Sequence, residues 1–128
     1  KLKEYGFSFP SIVHPHAWIA SNCIMGEGCA IYPGAVLHDN VQLENCVLIN
    51  SNVAIGHDTL CCSFSTINPG ASLAGGIVIG PRAYIGIGSS IIENINIGEN
   101  VIIGGGATVV NSLLEKGTYV GVPAKRIQ

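Results

Sequence analysis

The chain has 128 residues, 48% of them hydrophobic and 11% charged, with a formal net charge of -2; that is enough for one domain with its own core, and no apolar run reaches the ~18 residues a membrane helix needs. Lys and Arg total only 6, which argues against a nucleic-acid groove or a polybasic membrane patch. The 5 Cys have no metal-ligand spacing and two of them, Cys61 and Cys62, are adjacent, so they read as reduced thiols of a cytoplasmic protein.

Residues 1–12 form a lead-in. Lys1 to Gly6 reads as the end of a helix stopped by glycine, and Phe7, Phe9 and Ile12 as a short extended segment, either a cap over the open end of the repeat that begins at Val13 or the tail of a preceding domain. From Val13 to Val109 a large residue returns every six positions, through Ile19, Met25, Ile31 and so on to Ile91, Ile97 and Ile103, with only Cys61 not aliphatic. Four residues after each of these rungs stands a second small or aliphatic residue, as in Cys29, Ala35, Val41 and Val47.

A strand repeats its face every 2 residues and a helix every 3.6, so a six-residue spacing requires a unit of short strand plus corner. Between Val13 and Val109 every Gly, Pro, His and charged residue falls in the three positions after a rung. Gly and Asn tolerate positive φ and Pro cannot donate to a ladder, so these positions are the bends. Three sides make a triangular coil of 18 residues, and residues 13–110 then give about five coils stacked as parallel strands, an all-β prism. In residues 111–128 the register breaks at Asn111-Ser112, Leu113 to Gly117 is a loop or one helical turn, and Thr118 to Val122 is a short β-like run. This tail covers the lower end of the prism or folds on a neighbouring subunit.

Stacking places residues 18 apart in one column. The column through His57 holds Ser21, Asp39, Gly75 and Glu93. Rungs are buried and corners are not, so the His57 imidazole belongs on an outer edge. An imidazole suits general-base work near neutral pH, and a neighbouring carboxylate fixes its tautomer and raises its basicity. Asp58 is adjacent, and Asp39 is one coil away in the same column. Gly75-Gly76, one coil on, offers backbone N–H groups for a developing oxyanion. His14, His16 and His38 obey the same corner rule and read as solvated, and Arg82, Lys125 and Arg126 are the cations available to ligand phosphates.

The run Asn50-Ser51-Asn52-Val53-Ala54-Ile55-Gly56-His57-Asp58, then Asn68-Pro69-Gly70-Ala71, the Gly-Gly-Gly-Ala-Thr run from Gly104 and the ending Gly121-Val122-Pro123-Ala124-Lys125-Arg126 resemble one family. It is that of the hexapeptide-repeat sugar acetyltransferases, which includes sialic-acid O-acetyltransferases and the UDP-4-amino-sugar N-acetyltransferases of the bacillosamine-pathway type. The resemblance implies a left-handed parallel β-helix, a homotrimer with active sites between subunits, acetyl-CoA as acetyl donor, a small-molecule sugar acceptor and no metal. It also implies His57 as the base, Asp58 as its acidic partner, Asn50 lining the site, and Gly75, Ile87 and Gly105 against acetyl-CoA. Where relatives often carry a second, acetyl-CoA-contacting His, this chain has Thr66. Relatives carry an N-terminal nucleotide-sugar-binding domain, of which residues 1–12 resemble the last part. N- and O-acetylation are both open. A γ-type carbonic anhydrase uses a similar prism but needs three His on facing edges, and no His follows His57; a non-catalytic trimeric scaffold is the other alternative.

Overall fold

The computed structural model describes residues 1–128. From Ile12–Val13 to Thr108–Val109 the chain forms seventeen two-residue strands, one every six residues. Each pairs in parallel with the strand 18 residues away: Ile67 lies between Ile49 and Ile85, Leu73 between Ile55 and Ile91, and Ile79 between Cys61 and Ile97. Three parallel sheets result, and they are the faces of the prism. The first face contains Thr66–Ile67 and Tyr84–Ile85, the second Ala54–Ile55 and Ser72–Leu73, and the third Gln42–Leu43 and Leu60–Cys61. The first edge, between the first two faces, includes residues 50–52, 86–88 and 104–106. The second edge includes residues 38–40, 56–58 and 74–76, and the third edge residues 26–28, 44–46 and 80–82.

The two inward positions of each side account for the fold's stability. Ile49, Ile55, Ile67, Ile79, Ile85 and Ile103 are all 0% exposed, as are Ala35, Val41, Val53 and Ala71 in the second series. Burying each large aliphatic side chain is worth about 1.5–3 kcal/mol. The polar inward residues are all bonded: Ser65 Oγ donates to the Cys62 carbonyl at 2.7 Å and Ser89 Oγ to that of Gly86 at 2.8 Å, and Thr59 Oγ1 reaches the Ala74 carbonyl of the next coil at 3.4 Å. Burial drives the Cys61 thiol far above its ordinary pKa, with the neighbouring Cys62 and Cys29 adding to the effect. It sits in the column as one more apolar rung.

His16 and Asn22 in the first two corners do not take positive φ, whereas from Gly28 to Gly106 each corner turns at its third residue. Asn40, Asn52, Asp58, Asn94 and Asn100 take positive φ there, as do Gly28, Gly34, Gly70, Gly76, Gly88 and Gly106. Cys46, Phe64 and Arg82 occupy the same position with φ of 57, 63 and 56, a conformation that costs an L side chain about 1–2 kcal/mol.

The two ends differ. Val13 is 43% exposed whereas Ile31, one coil later, is 2% exposed, because nothing stacks on the first coil. Leu2–Tyr5 is a 3-10 turn closed by Gly6 in the left-handed conformation. The lead-in runs beside the third edge, where the Gly28 N–H donates to the Phe9 carbonyl at 2.7 Å and Lys3 pairs with Glu27 at 2.8 Å. At the other end the register does break, yet the tail is neither plain loop nor helix. Leu113 bridges to Ile97 and Thr118–Val120 pairs with Ile102–Ile103, each 16 residues on instead of 18. The tail is thus a further coil with a corner two residues shorter, which brings the total to about six turns. Lys125–Arg126 closes it as an antiparallel strand against Tyr119 and Val120.

Candidate active site

The second edge carries the groups that can do acid–base work. His57 is the middle residue of its corner, with its side chain 69% exposed, and its Nδ1 lies 2.8 Å from Asp58 Oδ2. Asp58 turns the corner with φ 58. Its carboxyl is held below the ordinary Asp range by the hydrogen bond from His57 first and that from Asn40 second, against a small desolvation penalty. An ionised carboxylate only accepts hydrogen bonds, so Nδ1 carries a proton, and in the neutral ring the lone pair is then on Nε2.

The free nitrogen lies over glycine. A Cβ at Gly75 would sit 2.6 Å from His57 Nε2 and 2.7 Å from Cε1, closer than real Cβ contacts come. Gly75 is therefore the floor on which the imidazole rests. The expected pair of oxyanion donors does not exist, because the Gly76 N–H already donates to the His57 carbonyl at 2.8 Å. From Gly28 on, coil stacking consumes the N–H at the third corner position, as at Asp58, whose N–H donates to the Asp39 carbonyl at 3.0 Å. That carbonyl is Asp39's link to the corner, and the carboxylate on Nδ1 is that of Asp58.

Two residues join the site that the column through His57 does not contain. Asn40 Nδ2 donates to Asp58 Oδ1 at 3.2 Å, Asn22 Nδ2 donates to Asn40 Oδ1 at 2.9 Å, and the Asn40 N–H donates to Asn22 Oδ1 at 3.1 Å. The ladder Asn22–Asn40–Asp58 follows the 18-residue spacing one position along from His57.

The remaining candidates lie elsewhere on the prism. Asn50, half-buried at the first edge, accepts the Ser51 N–H on Oδ1 at 2.9 Å. Ile87 and Gly105 share that edge; Ile87 is 62% exposed, and a Cβ on Gly105 would meet its Cγ2 at 3.0 Å. Thr66 is half-buried on the first face, paired between Leu48 and Tyr84. Within one chain the structure brings together His57, Asp58 and Gly75 and separates them from Asn50, Ile87 and Gly105 by the whole second face.

The first edge also differs in surface. From residue 14 to residue 106 it bears no Asp, Glu, Lys or Arg, and at Gly70, Gly88 and Gly106, stacked in one column, a Cβ would meet nothing within 4 Å. That column is a strip without side chains, open to a long thin molecule. No helix is long and apolar enough to cross a membrane.

Comparison with known proteins places this geometry. No protein-family model matches the chain. It is 30% identical over 79 residues to the GDP-perosamine N-acetyltransferase of Escherichia coli O157:H7, a match covering 62% of this chain and 36% of that protein. Among solved structures, the acetyltransferase domain of PglB from Neisseria gonorrhoeae FA1090 superposes with a TM-score of 0.96 and 32% identity, over 98% of this chain and 61% of that one. PerB from Caulobacter crescentus, in complex with CoA and GDP-perosamine, gives 0.94 and 30% over 98% and 61%. The chain spans about three fifths of those solved chains and about a third or less of the curated relatives it matches. With this agreement in three dimensions the chain is a left-handed parallel β-helix of the hexapeptide-repeat type, and its relatives in sequence and structure include perosamine N-acetyltransferases.

Proposed function

We propose that the chain moves acetyl from acetyl-CoA to an amino group of a nucleotide-linked sugar, with His57 as general base. The observation that carries this is the His57–Asp58 pair: a proton fixed on Nδ1 by an ionised carboxylate, and Nε2 open on an exposed edge. The amine nitrogen attacks the thioester carbonyl, forming the C–N bond, while Nε2 takes the amine proton. The C–S bond then breaks, and the proton passes to the departing thiolate of CoA. The PglB domain has been solved with acetyl coenzyme A and PerB with CoA and GDP-perosamine, which favours an amine acceptor over a hydroxyl.

The donor fits the side-chain-free strip of the first edge, where Gly105 and Ile87 would lie against its pantetheine arm, Gly75 against its acyl end, and Thr66 and Asn50 along the wall. These residues and His57 face one another only if the second edge of one copy meets the first edge of the next. Three copies arranged so turn their second faces inward, where the outward residues are uncharged: the exposed Trp18 on the first coil, then the smaller Val36, Ala54, Ser72, Ser90 and Thr108. A closed ring of identical contacts of this kind is a homotrimer with three sites. Residues 1–12 on this reading end a preceding nucleotide-sugar-binding domain, and the unpaired thiols fit the cytoplasm.

The test is release of CoA thiol with acetyl-CoA and a panel of nucleotide-linked amino sugars and sialic acids. Turnover on an amino sugar is expected, with His57→Ala lowering it roughly 10²-fold or more while the thermal midpoint stays put. Unchanged turnover in that variant would remove His57 from the mechanism.

A further inference from the structure

We propose that the hollow beside Asp58 on the third face is the subsite that takes the acceptor's sugar ring. It has a volume of about 360 Å³ and is bounded by Asn22, Asn40, Gln42, Ile24 and Leu60, with Asp58 and Thr59 at its upper end. The inference rests on the transferase reading of the second edge and adds to it the place and chemical class of the acceptor.

The lining selects for a sugar ring over the other parts of a nucleotide sugar. No cation borders the hollow, and its one charge is a carboxylate, so a diphosphate is repelled. No aromatic side chain lines it, so a base has nothing to stack on. The Asn22 and Asn40 amides on the corner side, with donors and acceptors for hydroxyl groups, face a column in which Gln42 stands between the aliphatic Ile24 and Leu60. Ile24 is 63% exposed, an apolar surface left for the C–H face or methyl group of a deoxy sugar. A ring with hydroxyls toward the asparagines, and with an apolar group and one further hydroxyl toward the Ile24–Gln42–Leu60 column, matches both walls.

The amides are also held in place before any ligand arrives. Asn22 and Asn40 bond to each other twice, and Asn40 bonds onward to Asp58, so each terminal amide keeps one N–H to offer. Gln42 makes no side-chain hydrogen bond within the chain and offers both ends of its amide. The hollow runs from the coil of His57 to the two coils before it, while Gly75, Ile87 and Gly105 lie on the coils after it. Donor and acceptor thus approach the base from opposite ends of the prism.

Gln42→Leu keeps the side chain's bulk on an exposed position and removes its hydrogen bonds. Its acceptor KM should rise about 5–10-fold, with the KM for acetyl-CoA unchanged. In parallel, NMR follows the side-chain amides of Asn22, Asn40 and Gln42 during titration with GDP-perosamine, with a UDP-linked 4-amino sugar, and with CoA alone. The amide signals should move with one or both sugar nucleotides and not with CoA. An unchanged acceptor KM, or amides that stay still under sugar nucleotide, overturns the subsite; if His57→Ala still abolishes transfer, the transferase reading survives that result. Conversely, amides that move in a protein transferring acetyl to no sugar would uphold the subsite and sink the transferase reading alone.

Discussion

The second and third edges of the prism are built from the same backbone turn but treat their charges differently. On the third edge the charged groups are paired with each other or with the corner: Lys3 with Glu27, Arg82 with Glu99, and Glu44 with the N–H and hydroxyl of Ser63. On the second edge the Asp58 carboxylate is spent on orienting an imidazole, whose other nitrogen has no partner in the chain. A corner whose charges satisfy one another holds a surface, whereas one with an oriented, unspent lone pair can act on a ligand. Since the apolar rungs alone fix the fold, corner residues are free to differ in this way.

The largest disturbance removes the scaffold both edges share. Ile85 is fully buried, and Ile85→Asp puts an unpaired carboxylate into a closed apolar column, a cost of several kcal/mol; loss of the circular-dichroism strand signal and of soluble expression is expected. Gly75→Ala comes next and separates the edges. Its Cβ collides with the His57 ring, so acetyl transfer should drop about tenfold or more, while the thermal midpoint moves by only a few degrees because the site is a surface corner.

A smaller effect reads the electrostatics of the second edge. The folded pKa of Asp58 lies below its unfolded value near 3.9, so its bonds to His57 and Asn40 are complete above that pH and are lost as pH falls through the folded value. Carbon NMR should place the Asp58 titration below the ordinary Asp range, and Asn40→Ala should move it upward by removing the second of its two causes. The smallest effect is on the third edge. Arg82→Ala breaks an exposed pair and should change unfolding free energy by less than about 1 kcal/mol, with no change in transfer.

Much of this was legible in the sequence because the six-residue period is a direct record of inward-facing positions, and Ile79 to Val109 obeys it without exception. Corner glycines and asparagines likewise mark the positive-φ residue, since Asn40 and Gly70 adopt it at little cost. Cys46, Phe64 and Arg82 were not legible there: their intrinsic preference opposes the conformation, and only the stacked coils impose it. The exposure of Val13 was also hidden, as a rung is buried only when a coil lies on each side of it. In the tail, the two-residue shortening after Val109 disguised Leu113 and Tyr119 as a departure from the repeat when they continue it.

At the site, the adjacency of His57 and Asp58 was readable, and stacking arithmetic put Gly75 against the imidazole. The role of Gly75 as a floor was not readable, because it depends on where the ring swings once Asp58 holds Nδ1. Asn22 and Asn40 were within reach of the same arithmetic, applied to Asp58 instead of His57. The separation of Asn50, Ile87 and Gly105 from the base follows from counting sides: seven residues from Asn50 to His57 is one side plus one position, which lands on the next edge.

That separation makes subunit complementation the most direct test. His57→Ala damages the second edge, and Gly105→Phe blocks the strip on the first; each variant alone should be inactive. If each site takes its base from one copy and its donor strip from the next, co-expressing the two at equal levels leaves about a quarter of the interfaces with both edges intact, and about a quarter of the wild-type acetyl transfer should return. Mixed assemblies that contain both variants yet remain inactive would contradict a site shared between copies.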